Sequence, residues 1–314
     1  MTSPMPPLRP VRNGVPASRL QLPPGPWQTV LQALCAHFST IPATHWQQRF
    51  EQGRVLDARG EPLPADHPYR VGMTVQYFRD VADEPVIPYA ERIIHRDADL
   101  VVACKPHFLP VAPTGAFVRQ TLLARLVQRL DNPHLVPLHR IDRDTAGLVL
   151  FSANPRTRGI YQALFRERRI RKQYLAVAPP LPDLTFPHIH RSQLVAGEPF
   201  FRMTEADGAP NTETVIDVAA RGRDVWTYRL EPVTGRKHQL RVHMAALGAP
   251  ILHDRSYPDL QPACADDPLR PLQLLAQSLA FTDPVDGTPR RYVSARALLA
   301  DSACAGYMGN ADGT

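Results

Sequence analysis

The sequence predicts an α+β protein: a mixed, largely antiparallel sheet flanked by helices and loops, with a small helical module before it. Three observations lead there. From about residue 89 to residue 300, short period-two patterns alternate with short amphipathic ones. Leu148-Val149-Leu150-Phe151 is an apolar run of the kind that forms a buried strand. Two helical patterns separated by a few residues precede this region, and each carries its large apolar side chains on one side.

The elements follow in order. Residues 1–26 are rich in Pro and Arg and lack apolar periodicity, so they read as disordered or extended, with a short extended piece near Leu20. The first helix runs through Trp27, Val30, Leu31, Leu34 and Phe38. The second spans Thr44 to Gln52, with Trp46 and Phe50 on one side and Gly53 as its C-cap. Arg54-Val55-Leu56 and Met73 to Phe78 form short strands around a turn at Arg59-Gly60. These residues, 27–80, make the small module, and Asp80 to Pro88 is the linker. In the large domain, 89–300, a hairpin turns at Asp97-Ala98-Asp99, and Asn154-Pro155 opens a helix as N-cap and first residue. That helix turns Ile160, Tyr161, Leu164 and Phe165 inward and its arginines outward. Tyr174–Val177, Val215–Val218 and Trp226–Leu230 are strands, and Gln239 to Leu247 is a helix closed by Gly248. Residues 305–314 form a flexible tail, and the sequence shows no internal repeat.

Composition narrows the function. The chain has 314 residues, enough for one large and one small domain. No apolar run reaches the ~20 residues a membrane helix needs. Arg9 and Arg12 have no apolar stretch behind them, which argues against a secretory signal. The four cysteines, Cys35, Cys104, Cys264 and Cys304, match no metal-ligand spacing and read as reduced thiols of a cytoplasmic protein. No dinucleotide fingerprint, phosphate loop or metal motif occurs, so no cofactor is expected. Twelve histidines invite a metal, above all His188-Ile189-His190 and His238 with His243. The second pair, at i and i+5, does not share a helix face, and no cysteine or carboxylate cluster completes a site, so no metal is expected either. The formal charge is +6, and seven basic residues between Arg156 and Lys172 face a single acid, Glu167. A one-signed run repels itself unless an anion meets it, so a polyanionic partner is expected.

Four blocks carry the chemistry: Val101-Val102-Ala103-Cys104-Lys105-Pro106, His139-Arg140-Ile141-Asp142-Arg143-Asp144-Thr145-Ala146-Gly147, Arg171-Lys172-Gln173-Tyr174, and Thr234-Gly235-Arg236-Lys237-His238-Gln239-Leu240-Arg241-Val242-His243. In this order they resemble the RluA family of RNA pseudouridine synthases across about two thirds of the chain. The resemblance implies the pseudouridine synthase catalytic fold and, for the site, Asp142 as catalytic carboxylate, Tyr174 stacking on uracil and Arg241 paired with Asp142. It implies that Arg140 fills the space left by a flipped uridine, since unstacking a base costs energy that a stacked planar cation offsets. His139 holds the loop by hydrogen bonding, and Thr145 and Gly147 let the backbone approach the sugar. Lys105, His139, Arg140, Thr145, Lys172 and Arg236 are expected around the substrate. Breaking the glycosidic bond, turning the base and rejoining it through carbon needs an ionised carboxylate beside the ribose and no redox or phosphoryl step.

The small module, through Phe50 to Leu56 and Tyr69 to Val75, resembles the alpha-L RNA-binding module of certain ribosomal proteins. The implied partner is structured RNA, ribosomal or transfer, bound by a monomer without a membrane. Departures from the family pattern are Ile141 for Leu, Ala146 for Ser, Ala249 and His253 for His and Gly, and Leu275 for His. A kinase loop is excluded because its aspartate follows the arginine directly and its glycine-rich loop is missing. A glycosidase using Asp142 and Asp144 is disfavoured, because carboxylates two residues apart more often serve as one site residue and one ion-pair partner. A non-enzymatic RNA-binding or ribosome-assembly protein on the same fold is the remaining alternative.

Overall fold

The computed structural model describes residues 10–79, 81 and 83–298. These fall into two compact units, one within Met1–Val86 and Ala112–Leu135, the other within Ile87–Val111 and Val136–Thr314. The uninterrupted spans 27–80 and 89–300 therefore need correction, because 112–135 belongs with the smaller unit.

In the smaller unit, β1 (Val11–Arg12) and β2 (Val15–Pro16) pair antiparallel around Asn13-Gly14, both at positive φ as a two-residue hairpin turn requires. β3 (Ser18–Gln21) joins β5 (Thr74–Tyr77), which also pairs with β4 (Val55–Leu56). Residues 11–21 thus take the extended alternative, largely as strands and with Leu20 in β3, because Val15, Ala17 and Leu22 are buried. Residues 1–9 and the expected tail at 305–314 lie outside the described residues. α1 (Val30–His37) is capped by Thr29, whose hydroxyl accepts the Gln32 N–H. α2 (Ala43–Glu51) ends before Gly53 at φ +61°, and Val30, Leu34, Trp46, Phe50 and Val75 form the core between helices and sheet.

α3 (Leu122–Leu130), capped by Thr121, was not singled out in the sequence. It explains why 112–135 joins this unit. Val15, Val118 and Ala124 share one apolar cluster, and a side chain at Gly14 would lie 2.3 Å from the Ala124 carbonyl oxygen. The nominal linker is anchored too. The Glu84 carboxylate is 1% exposed and accepts the backbone N–H groups of Val118, Arg119 and Gln120.

The larger unit is built on one sheet of eleven strands. They are β6 (Arg92–Arg96), β7 (Leu100–Lys105), β8 (Val136–Pro137), β9 (Ala146–Ser152), β10 (Arg171–Ala178), β11 (His188–Ala196), β12 (Met203–Ala206), β13 (Thr212–Arg221), β14 (Trp226–Pro232), β15 (Leu274–Thr282) and β16 (Pro289–Val293). The order is β12-β11-β13-β14-β10-β15-β9-β7-β6, with β16 on β15 and β8 on β9. Every pair is antiparallel except β15 with β9. This is the mixed, largely antiparallel α+β fold expected.

Two helices cover it. α4 (Arg158–Arg166) buries Tyr161 and Leu164 against Leu148, Leu150 and Leu279, while Ile160 stays exposed. It begins later than expected. Thr157, not Asn154, precedes it, because Asp99 draws both the Asn154 amide and the Thr157 hydroxyl to itself at 2.8 Å. Asn154 Oδ1 instead accepts the Arg156 N–H in a side-chain turn. α5 (Gln239–Ala246) packs Leu240 and Met244 on Tyr174, Ile216 and Leu230, with Leu247 beside them, and Gly248 follows at φ +84°.

Candidate active site

The loop from His139 to Thr145 links β8 to β9 and is pinned from below at each step. His139 Nε2 accepts the Leu150 N–H at 3.1 Å, and its ring stacks on Phe165. Burial holds its pKa down to about 3, with the nearby Lys172 charge adding, so it stays neutral and acts as an acceptor. Lys105 Nζ donates to the carbonyls of Pro106 (2.9 Å) and Arg143 (2.8 Å), and His107 Nδ1 donates to the carbonyl of Asp144 (2.7 Å). The Thr145 N–H closes the turn on the Asp142 carbonyl. Asp142 therefore stands on a loop whose backbone is fixed on both sides, with its own side chain 26% exposed.

The partner of Asp142 comes from α5. Arg241 Nη1 donates to Asp142 Oδ2 at 3.2 Å, while Nε and Nη2 make a two-pronged pair with Asp254, both at 2.7 Å. Both Arg241 and Asp254 are buried, at 5% and 1% exposure. Asp254 Oδ1 also accepts the N–H groups of Ser256 and Tyr257, so its lone pairs are well used. Burial pulls the Arg241 pKa down, but Asp254 and Asp142 more than offset it and the net direction is up.

The start of α5 is fixed by Gln239. Its Oε1 accepts from the Thr234 hydroxyl and the Arg236 N–H, and its Nε2 donates to the Glu213 carbonyl and the Thr214 hydroxyl. A buried amide with all these bonds made leaves the helix one position to occupy. Tyr174 stands on β10, at a bulge in its pairing with β15, and is 9% exposed. Burial raises the pKa of its hydroxyl and the charge of Asp142 raises it further, so it remains a neutral phenol.

A family model described as RNA pseudouridylate synthase matches residues 99–246, which contain Asp142, Tyr174 and Arg241. An RNA pseudouridine synthase of Synechocystis is 34% identical over 219 residues, covering 68% of this chain and 73% of that protein. The chain belongs to the RluA family of RNA pseudouridine synthases. RNA pseudouridine synthase 5 of Arabidopsis thaliana is 27% identical, covering 81% of this chain and 76% of its own. Among solved structures, human RNA pseudouridylate synthase domain containing 1 superposes with a TM-score of 0.54 at 25% identity, over 68% of this chain and 86% of that one. The protein is thus an isomerase that makes pseudouridine in RNA.

Not every residue expected around the substrate lines the synthase's open surface. Lys105 is fully buried with its ammonium on two carbonyls, and Thr145 is 2% exposed. Both are corrected to residues that support the loop from beneath. Burial presses the Lys105 pKa down to about 7, although Asp144 and Asp142 pull it back up. Gly147 lies within β9 at φ +113°, where an added side chain would meet the backbone of Ala276 at 2.3 Å, so its freedom serves the β9–β15 approach. Lys172 is half-buried and reaches the Thr234 carbonyl, while Arg140 and Arg236 are exposed. Asp144 pairs with Arg143, which also pairs with Asp266. Of the departures from the family pattern, His253 is the informative one. It adopts φ +62°, the region that favours glycine.

Asp254, Tyr257 and His238 were missed as site residues. The signal, a buried aspartate needed to hold a buried arginine, exists only once Arg241 is known to be buried. The histidine pairings read from sequence are also corrected. Among the described residues, His190, Glu205 and His243 bring possible ligand atoms within 4.8 Å of one another, so a carboxylate does complete a cluster. Their hydrogen bonds already account for them. His190 Nε2 bonds Glu205 at 2.7 Å. The Thr212 hydroxyl gives its proton to the Ser192 carbonyl and so accepts from His243 Nε2. Thr214, which accepts from Gln239, gives its proton to His243 Nδ1. The second histidine of the block thus anchors α5 to β13.

Proposed function

We propose that this synthase isomerises uridines in structured RNA, ribosomal or transfer RNA, by a cofactor-free mechanism in which Asp142 is the catalytic carboxylate. The observation that carries the reading is the Asp142–Arg241–Asp254 arrangement. A buried arginine, neutralised from behind by Asp254, directs its remaining donor at one oxygen of a partly exposed carboxylate. The other oxygen is left to meet the ribose, either attacking the anomeric carbon or taking a ribose proton. Tyr174 stacks on the uracil, and its hydroxyl relays the C5 proton to water, taking that proton as it gives up its own. Arg140, exposed on the same loop, takes the place of the extruded base. Arg236 and the exposed arginines of the 156–169 stretch carry the RNA backbone.

The smaller unit adds RNA affinity. Arg12, Arg54, Arg79 and Arg119 line a hollow of about 110 Å³ beside the buried Glu84. A cytoplasmic setting is the reading that Cys35, Cys104 and Cys264, none of them in a disulfide, support, and the protein is taken to act there as a monomer. The decisive experiment is Asp142→Asn, which removes charge while keeping shape. Pseudouridine formation is expected to vanish and RNA binding to persist; retained turnover would remove Asp142 from the chemistry. Mapping pseudouridines in cellular RNA with and without the protein identifies the target.

A further inference from the structure

The two oxygens of Asp142 face different residues. Oδ2 receives Arg241, whereas Oδ1 faces the ring of His238, with Nε2 at 3.9 Å. His238 sits at the N-terminal end of α5 with φ +56° and a side chain only 12% exposed. Its other ring nitrogen, Nδ1, lies 2.9 Å from the Tyr257 hydroxyl.

The hydrogen-bond directions around Tyr257 favour one tautomer of His238. The Met203 backbone N–H can only donate, and it donates to the Tyr257 oxygen at 2.8 Å. The tyrosine's own proton is then free for Nδ1. A neutral imidazole that accepts at Nδ1 carries its hydrogen at Nε2, the atom facing Asp142. The opposite assignment would set an imidazole lone pair against a carboxylate lone pair. Burial is the largest influence on the His238 pKa and lowers it; Arg241 and Lys237 also push it down, while Asp142 and Asp254 pull it up.

We propose that His238 is a positioning residue for Asp142, held by Tyr257 as the Nε2–H tautomer so that it presents a donor to the carboxylate oxygen Arg241 does not engage. The inference rests on the reading of Asp142 as the reacting carboxylate. At 3.9 Å the donor lies beyond a made hydrogen bond, so it orients and steadies the oxygen without occupying it. Tyr257 serves twice, since its ring also lies against the Arg241 guanidinium at 5.2 Å.

Two measurements on the full chain test this. The first is the ring ¹⁵N spectrum of histidine-labelled protein, with the His238 signal assigned by its loss in His238→Gln. The Nε2–H pattern is expected, and an Nδ1–H pattern overturns the proposal. The second is kinetic. His238→Leu is expected to lower kcat by about tenfold or more with little change in KM, as loss of a group that orients the reacting carboxylate does. His238→Gln, whose amide can still donate, should restore most of the rate. Tyr257→Phe should fall between the two and weaken the tautomer preference. An unchanged kcat in His238→Leu, or no recovery in His238→Gln, would assign His238 to packing alone. If Asp142→Asn keeps its turnover, the reading of Asp142 fails, whereas the ¹⁵N spectrum still judges the tautomer.

Discussion

A lysine ammonium with no solvent contact is the least expected group near this site, and its energetics can be measured. Lys105 is 0% exposed and its pKa is about 7, against an ordinary 10.5. Between those two values the unfolded chain holds a proton that the folded chain does not. Stability therefore rises with pH across that window, and the penalty of the buried charge is fully present below about pH 7. Urea unfolding at about pH 7 and about pH 9 should show the unaltered protein gaining roughly 2 kcal/mol at the higher value. In Lys105→Met that gain should disappear. A gain of equal size in the variant would place its source elsewhere. The same variant leaves the Arg143 carbonyl without its donor, so the Asp142 loop should loosen and the rate fall.

Among the elements, α4 shows how one helix serves both the core and the surface. Leu164 and Tyr161 are about 1% exposed against the sheet, and the Tyr161 hydroxyl is tied to Asp283 at 2.8 Å. Leu164→Ala should cost about 2–5 kcal/mol in chemical unfolding, the range for a buried leucine whose neighbours collapse only partly. A loss below about 1 kcal/mol would mean that the helix contributes little to the core. Its amphipathic pattern was plain in the sequence, whereas its first residue was not. Asn154-Pro155 is a sound local start signal, overridden because Asp99, far away in sequence, offers Asn154 and Thr157 a better partner. α5 is the reverse case. Its span was legible, but the reasons for Thr234, Gln239 and His243 lie across the sheet on β13.

At the scale of the whole molecule, the +6 charge is the property RNA would sense first. The hollow with Arg12 and Arg119 in the smaller unit offers a test independent of the catalytic loop. Charge reversal at both should weaken RNA binding and lower the slope of log affinity against log salt by roughly one per lost phosphate contact. The rate at saturating RNA should hold. An unaltered slope would leave the smaller unit without a share in RNA binding.

The sequence by itself determined the family and the α+β class and pointed to Asp142, Tyr174 and Arg241, because these are carried by short contiguous blocks whose spacing survives without coordinates. It also made the charge of the 156–172 stretch plain. Only the tertiary structure decided what those blocks do for one another. Lys105 and Thr145 moved from the substrate to the support of the loop, and Asp254, Tyr257 and His238 entered the site, each from contacts between residues distant in sequence. Burial and hydrogen-bond direction are properties of neighbours in space. Local pattern cannot hold them, which is why the family was legible and the support of its loop was not.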